Sequence, residues 1–212
     1  MSEGNLMIDT GQHMLEGLFD RGENPSTAAI VCHPHPLYGG DMDNGVVVAM
    51  QKTLRSCGWS TLRFNFRGVG GSSGSYGEGE GEAEDTKGVA AYLSQQGFDT
   101  ICLGGYSFGA WVALKAVGPQ LSPACTILVS PPVDFLSFAN LALPSTPCLI
   151  TLGDRDDFCR LASLRQWIAQ QTVDEALIEV ELLPRCDHFY GVNEALLSAK
   201  IGMFLARHFK NE

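Results

Sequence analysis

Short apolar runs recur at residues 27–32, 59–66, 101–105, 124–130, 148–152 and 177–183, and they are continuous rather than alternating. Such runs read as strands buried on both faces. Segments of helical periodicity separate them, placed at 44–57, 80–96, 108–117, 157–171 and 193–209. Strand and helix in alternation predict parallel βα units with right-handed crossovers. Ahead of these units, residues 6–10 and 12–19 flank Thr10-Gly11 and read as an antiparallel hairpin. The expectation is one α/β domain over residues 1–212, with a mostly parallel sheet of about eight strands and helices on both faces.

Charge narrows the partners. Lysine and arginine number 14 against 24 acidic residues, giving a formal charge of −10, which disfavours nucleic acid and anionic membrane. No apolar stretch is long enough to span a bilayer, and Met1-Ser2-Glu3-Gly4-Asn5 lacks the basic start and apolar run of a secretion signal. A cytoplasmic location is expected. Seven cysteines, mostly inside or beside predicted strands and without paired metal-type spacing, read as buried free thiols. The acidic, glycine-rich tract 72–85 does not match the spacing of an EF-hand, and reads as a solvated loop leading into an acidic first helical turn.

Candidate chemistry centres on Gly105-Tyr106-Ser107-Phe108-Gly109, which follows a predicted strand and opens an alanine-rich helix. A serine at such a turn projects its hydroxyl out of the sheet, and the flanking glycines let strand and helix approach closely. A nucleophilic serine needs a base, and the base needs a carboxylate to orient it. After later strands come Gly153-Asp154-Arg155-Asp156-Asp157 and Cys186-Asp187-His188, so an acid and a histidine follow the serine in chain order. Serine, acid, histidine is the order of the α/β-hydrolase arrangement. The N–H of Phe108, next to the serine at a helix start, is the expected first donor to a developing oxyanion.

With these landmarks, together with His33-Pro34-His35-Pro36 and Arg67-Gly68-Val69-Gly70-Gly71-Ser72 after the third and fourth strands, nearly the whole chain resembles the α/β-hydrolase superfamily. Within it, the likeness is to small bacterial serine hydrolases akin to dienelactone hydrolases, carboxylesterases and acyl-protein thioesterases. Dienelactone hydrolases carry cysteine at the elbow where this chain has Ser107. The resemblance implies an α/β-hydrolase fold, and with only residues 131–147 where larger members insert a lid, no large lid. It selects Asp156 as the acid through the Gly-x-x-Asp spacing, with Asp134 as a rival, Asp154 as a turn carboxylate and Asp157 as a helix cap. It also favours His35 as the second backbone oxyanion donor.

The implied activity is cleavage of a small carboxylic ester or thioester through an acyl-enzyme, by Ser107, His188 and Asp156, with no metal or other cofactor. Tyr38, Tyr76, Phe135, Phe138 and Tyr190 are the candidate pocket walls. Three other readings stay open: an amidase or peptidase with the same triad, a catalytically idle binding domain, and a metal-dependent hydrolase. The last would use His33 and His35 with Asp41 and Asp43 nearby, since imidazole and carboxylate suit zinc or a similar ion.

Overall fold

The computed structural model describes residues 4–209. Strands β1 (Gly4–Asp9) and β2 (Met14–Asp20) form the expected antiparallel hairpin. The remaining strands are β3 (Thr27–Cys32), β4 (Ser60–Phe64), β5 (Thr100–Tyr106), β6 (Cys125–Val129), β7 (Cys148–Gly153) and β8 (Ile178–Leu183). They lie in the order β1-β2-β4-β3-β5-β6-β7-β8, antiparallel as far as β4 and parallel from there on.

Helices α1 (Gly45–Ser56) and α5 (Glu194–His208) cover one face of the sheet. The other face carries α2 (Glu80–Gln95), α3 (Phe108–Ala116) and α4 (Leu161–Ile168). The two cores explain the continuous apolar runs: in β3, Ala28, Ile30 and Cys32 enter one core while Ala29 and Val31 enter the other. Packing holds helices that propensity would not. Helix α1 begins with Gly45-Val46-Val47-Val48, a poor helical start, yet Val46, Val47, Met50 and Leu54 are buried, at about 1.5–3 kcal/mol for each large side chain.

Topology locates the functional end of the sheet. From β3 the chain crosses to its neighbour β4 on one side, and from β4 it crosses back to β5 on the other. The loops leaving the carboxyl ends of β3 and β5 therefore diverge, and a crevice opens between them. No helix or strand is inserted in residues 131–147, so no lid covers it.

Two expectations are corrected. Helix α4 starts at Leu161 rather than near Asp157, and Asp157 does not cap it. The stretch before it is held instead by two carboxylates, Asp156 from the same loop and Asp134 from the loop after β6. Asp156 Oδ1 accepts from Phe158 and Cys159, both at 2.9 Å, and Asp134 Oδ2 accepts from Arg160 at 2.8 Å, which holds this stretch in a bend. The tract 72–85 is not a wholly solvated loop either. Glu82 is buried and accepts the N–H groups of Gly77 and Gly79, while buried Asp85 binds the Arg67 guanidinium through both oxygens.

Candidate active site

Ser107 sits between β5 and α3 with φ 55° and ψ −120°, a conformation that costs a residue bearing a Cβ about 1–3 kcal/mol. Surrounding contacts enforce it. The Ser107 N–H donates to Val129 O at 2.8 Å on the neighbouring strand. A Cβ on Gly105 would lie 2.2 Å from Gly109 O, and one on Gly109 would lie 2.3 Å from Cys32 O. Both glycines are thus required for the close crossing of strand and helix that the sequence predicts.

The loops after β7 and β8 bring the other two groups to the same rim. A Cβ on Gly153 would lie 2.1 Å from Cys186 O, so glycine there allows the two loops to touch. His188 Nδ1 lies 2.9 Å from both oxygens of Asp156, and His188 Nε2 lies 2.8 Å from Ser107 Oγ. Because a carboxylate only accepts, Nδ1 carries the hydrogen and the Nε2 lone pair faces the serine hydroxyl. Asp156 and His188 are both buried. Asp156 is further fixed by the N–H groups of Phe158 and Cys159.

Tyrosines hold the histidine loop from beneath. Tyr106 donates its hydroxyl to His188 O at 2.8 Å, with its ring 5.6 Å from the imidazole. Burial raises the pKa of this phenol, so it stays a donor across the working pH range. Tyr190, also buried, places its hydroxyl 3.0 Å from Ser130 Oγ and 3.1 Å from Thr151 Oγ1.

The rival acid is engaged elsewhere. Asp134 accepts from the Arg160 guanidinium at 2.7 Å and from Ser163 Oγ at 2.6 Å, and these bonds, Arg160 foremost, hold its pKa down at about 2. Asp154 accepts from Cys186 N–H at 3.2 Å and joins the two loops, as a turn carboxylate should.

The His-x-His pair is not a metal site, because its ring nitrogens are committed. His33 is fully buried: Nε2 accepts from Phe66 N–H at 3.0 Å and Nδ1 donates to Pro34 O at 2.7 Å. Burial pushes its pKa down to about 4. In His35, Nδ1 accepts from Leu37 N–H at 3.2 Å, which leaves Nε2–H to meet the Tyr76 hydroxyl at 3.2 Å; burial lowers this pKa too. The two rings latch the loop after β3 to its surroundings. The His35 ring also lies 4.7 Å from that of Phe108, so the loop abuts the start of α3.

A cleft of about 430 Å³ opens beside Ser107 and His188. Of the five candidate wall residues, Tyr38 and Phe135 line it. Tyr76 packs behind His35, Phe138 lies in the core against Trp167, and Tyr190 is buried under the histidine loop. The missed walls include Tyr106, Leu136, Phe158 and Phe189, with Asn44 as a polar member. Three of these stand within two residues of Ser107, Asp156 or His188 in sequence, and adjacency was the signal that could have found them. Among the described residues no lysine, arginine, aspartate or glutamate lines the cleft.

No protein-family model matches the chain. An uncharacterized protein of Rickettsia prowazekii (strain Madrid E) is 32% identical over 199 residues, covering 90% of this chain and 84% of that protein. An alpha-beta serine hydrolase homologue from Coxiella burnetii is 35% identical, with a TM-score of 0.88 over 97% of this chain and 99% of that one. A protein from Xanthomonas campestris, described as an a/b serine hydrolase without lid, is 30% identical, with a TM-score of 0.90 over 100% of this chain and 97% of that one. Shared fold, near-complete coverage and identity at this level lead to one conclusion: the chain belongs to the α/β-hydrolase superfamily and is a hydrolase.

Proposed function

We propose that the protein is a serine hydrolase that cleaves a small, neutral carboxylic ester or thioester through an acyl-enzyme. The observation that carries this reading is the unbroken hydrogen-bonded chain from Ser107 Oγ through the His188 ring to both oxygens of Asp156. In the first half-reaction Oγ attacks the carbonyl carbon while Nε2 takes its proton, and the imidazolium then gives that proton to the leaving oxygen or sulfur. In the second, His188 deprotonates water, which attacks the acyl carbon, and the proton returns to Oγ as the acid departs. Asp156 holds the tautomer and stabilises the imidazolium in both halves.

Charge on the tetrahedral oxygen needs backbone donors, each worth about 3–4 kcal/mol. Phe108 N–H, at the start of α3 where the helix dipole favours an anion, is the first. In the loop after β3, Leu37 and Tyr38 N–H are consumed by His35 Nδ1 and His35 O, and His33 is enclosed. His35 N–H remains, which supports it as the second donor.

The uncharged, largely aromatic cleft supports a neutral acyl group, because an anionic one would lose hydration with no cation to meet it. All seven cysteines are unpaired, which supports a reducing, cytoplasmic setting.

Replacing Ser107 by alanine should abolish p-nitrophenyl acetate turnover while leaving the unfolding midpoint within a few degrees of wild type. Turnover retained by the alanine variant would reject the nucleophile. A wild-type protein that neither turned over activated esters nor reacted with a fluorophosphonate would return the idle-domain reading.

A further inference from the structure

Asn44 stands immediately before α1, and its Oδ1 accepts the Val46 N–H at 3.0 Å. That bond fixes the orientation of the side-chain amide, because only the oxygen can accept and so the NH2 group must turn away from the helix. Among the described residues Nδ2 donates to no protein group. Asn44 also lines the cleft that holds Ser107 and His188.

The other polar side chains on these walls are differently placed. Both His35 nitrogens are engaged, and the Tyr106 hydroxyl is spent on His188 O. Tyr38, 76% exposed, belongs to the mouth. Outside Ser107 and His188, Asn44 therefore supplies the side-chain donor left open within an otherwise apolar wall.

We propose that Asn44 is a specificity-determining residue whose Nδ2 donates a hydrogen bond to a neutral oxygen acceptor carried by the substrate in addition to its reacting carbonyl. The inference rests on the hydrolase reading above and deepens it. The preferred substrates are esters or thioesters with an apolar body and a second carbonyl, ether or hydroxyl oxygen. Plain alkyl esters are disfavoured, because filling the cleft with hydrocarbon strips water from the amide and leaves it unpaired.

The test separates the donor from the cap. Serine and aspartate cap helices about as well as asparagine, so Asn44→Ser and Asn44→Asp keep α1 anchored, and unchanged unfolding midpoints check this. Serine is too short to reach as far as Nδ2, and aspartate offers an acceptor in place of a donor.

Two near-isosteric pairs probe the two ends of the substrate. On the acyl side, p-nitrophenyl methoxyacetate is set against p-nitrophenyl butyrate. On the alcohol side, 4-methylumbelliferyl butyrate is set against 2-naphthyl butyrate. Within a pair, comparing the kcat/KM ratio between wild type and variant cancels intrinsic reactivity.

The expected result is a ratio that falls about three- to tenfold in Asn44→Ser for at least one pair, in the direction that penalises the oxygen-bearing member, and at least as far in Asn44→Asp. Ratios unchanged in both pairs, in variants whose Ser107 still reacts with a fluorophosphonate, would overturn the role of Asn44 and leave the hydrolase reading standing. Failure of wild-type Ser107 to react would overturn both.

Discussion

The buried imidazole of His33 should make the protein acid-labile in a defined window. In the fold its pKa is pushed from 6.5 down to about 4, chiefly by burial, whereas the unfolded chain restores the ordinary value. Between those values the unfolded chain binds a proton that the folded imidazole refuses. Stability from this group is therefore complete above about pH 6.5 and is lost as pH falls towards 4. At about 1.4 kcal/mol per pH unit the gap sets a ceiling of about 3 kcal/mol, of which about 2–3 kcal/mol is lost by pH 4.5. His33→Gln removes the titration while its amide can accept from Phe66 N–H and donate to Pro34 O, the two partners of the native ring. Urea unfolding of both proteins at pH 7.5 and pH 4.5 gives the comparison, since the other carboxylates and histidines are common to both and cancel. Wild type should lose about 2–3 kcal/mol more than the variant between the two conditions. Equal losses would refute the claim that the folded state holds this ring neutral.

Two further outcomes follow from contacts beneath the site. Tyr106→Phe removes the donor to His188 O and leaves a buried carbonyl unpaired, so stability should fall by about 1–3 kcal/mol and kcat by about tenfold with little change in KM. Steady-state kinetics with chemical denaturation reads both, and a variant matching wild type in each would show that the bond does not position the imidazole. Six of the seven cysteines are buried, with the Cys32 and Cys148 thiols pushed up to about 12 by desolvation, so Ellman's reagent should modify the partly exposed Cys57 first and the rest only on unfolding. Rapid reaction of a second thiol in the native protein would contradict the burial.

Most of the fold was legible because strands buried on both faces leave continuous apolar runs, and because the period changes where helices begin. The start of helix α4 was not, since the residues before it are held in a bend partly by Asp134, which arrives from the distant loop after β6 and accepts the Arg160 N–H. The same blindness to partners hid the buried acids. Composition counts Glu82 and Asp85 as charges seeking water, whereas the fold gives each its own donors, the glycine N–H groups and Arg67.

The convergence of Ser107, Asp156 and His188 could be expected because each stands in a loop beyond a strand end, and parallel strands deliver all such loops to one rim. The aromatic walls were read only in part, Tyr38 and Phe135 among them, because direction depends on local backbone. Tyr190 takes φ 61° and is buried against Ser130 and Thr151, while its neighbour Phe189 is 68% exposed and lines the cleft.

If His188, held by Asp156, makes Ser107 a nucleophile, then a fluorophosphonate followed by peptide mass spectrometry should find the modified residue. The expected outcome is one phosphonyl group per chain, located on Ser107, with a labelling rate about 10²–10⁴-fold lower in His188→Ala. Label on another residue, or an undiminished rate without the imidazole, would contradict it.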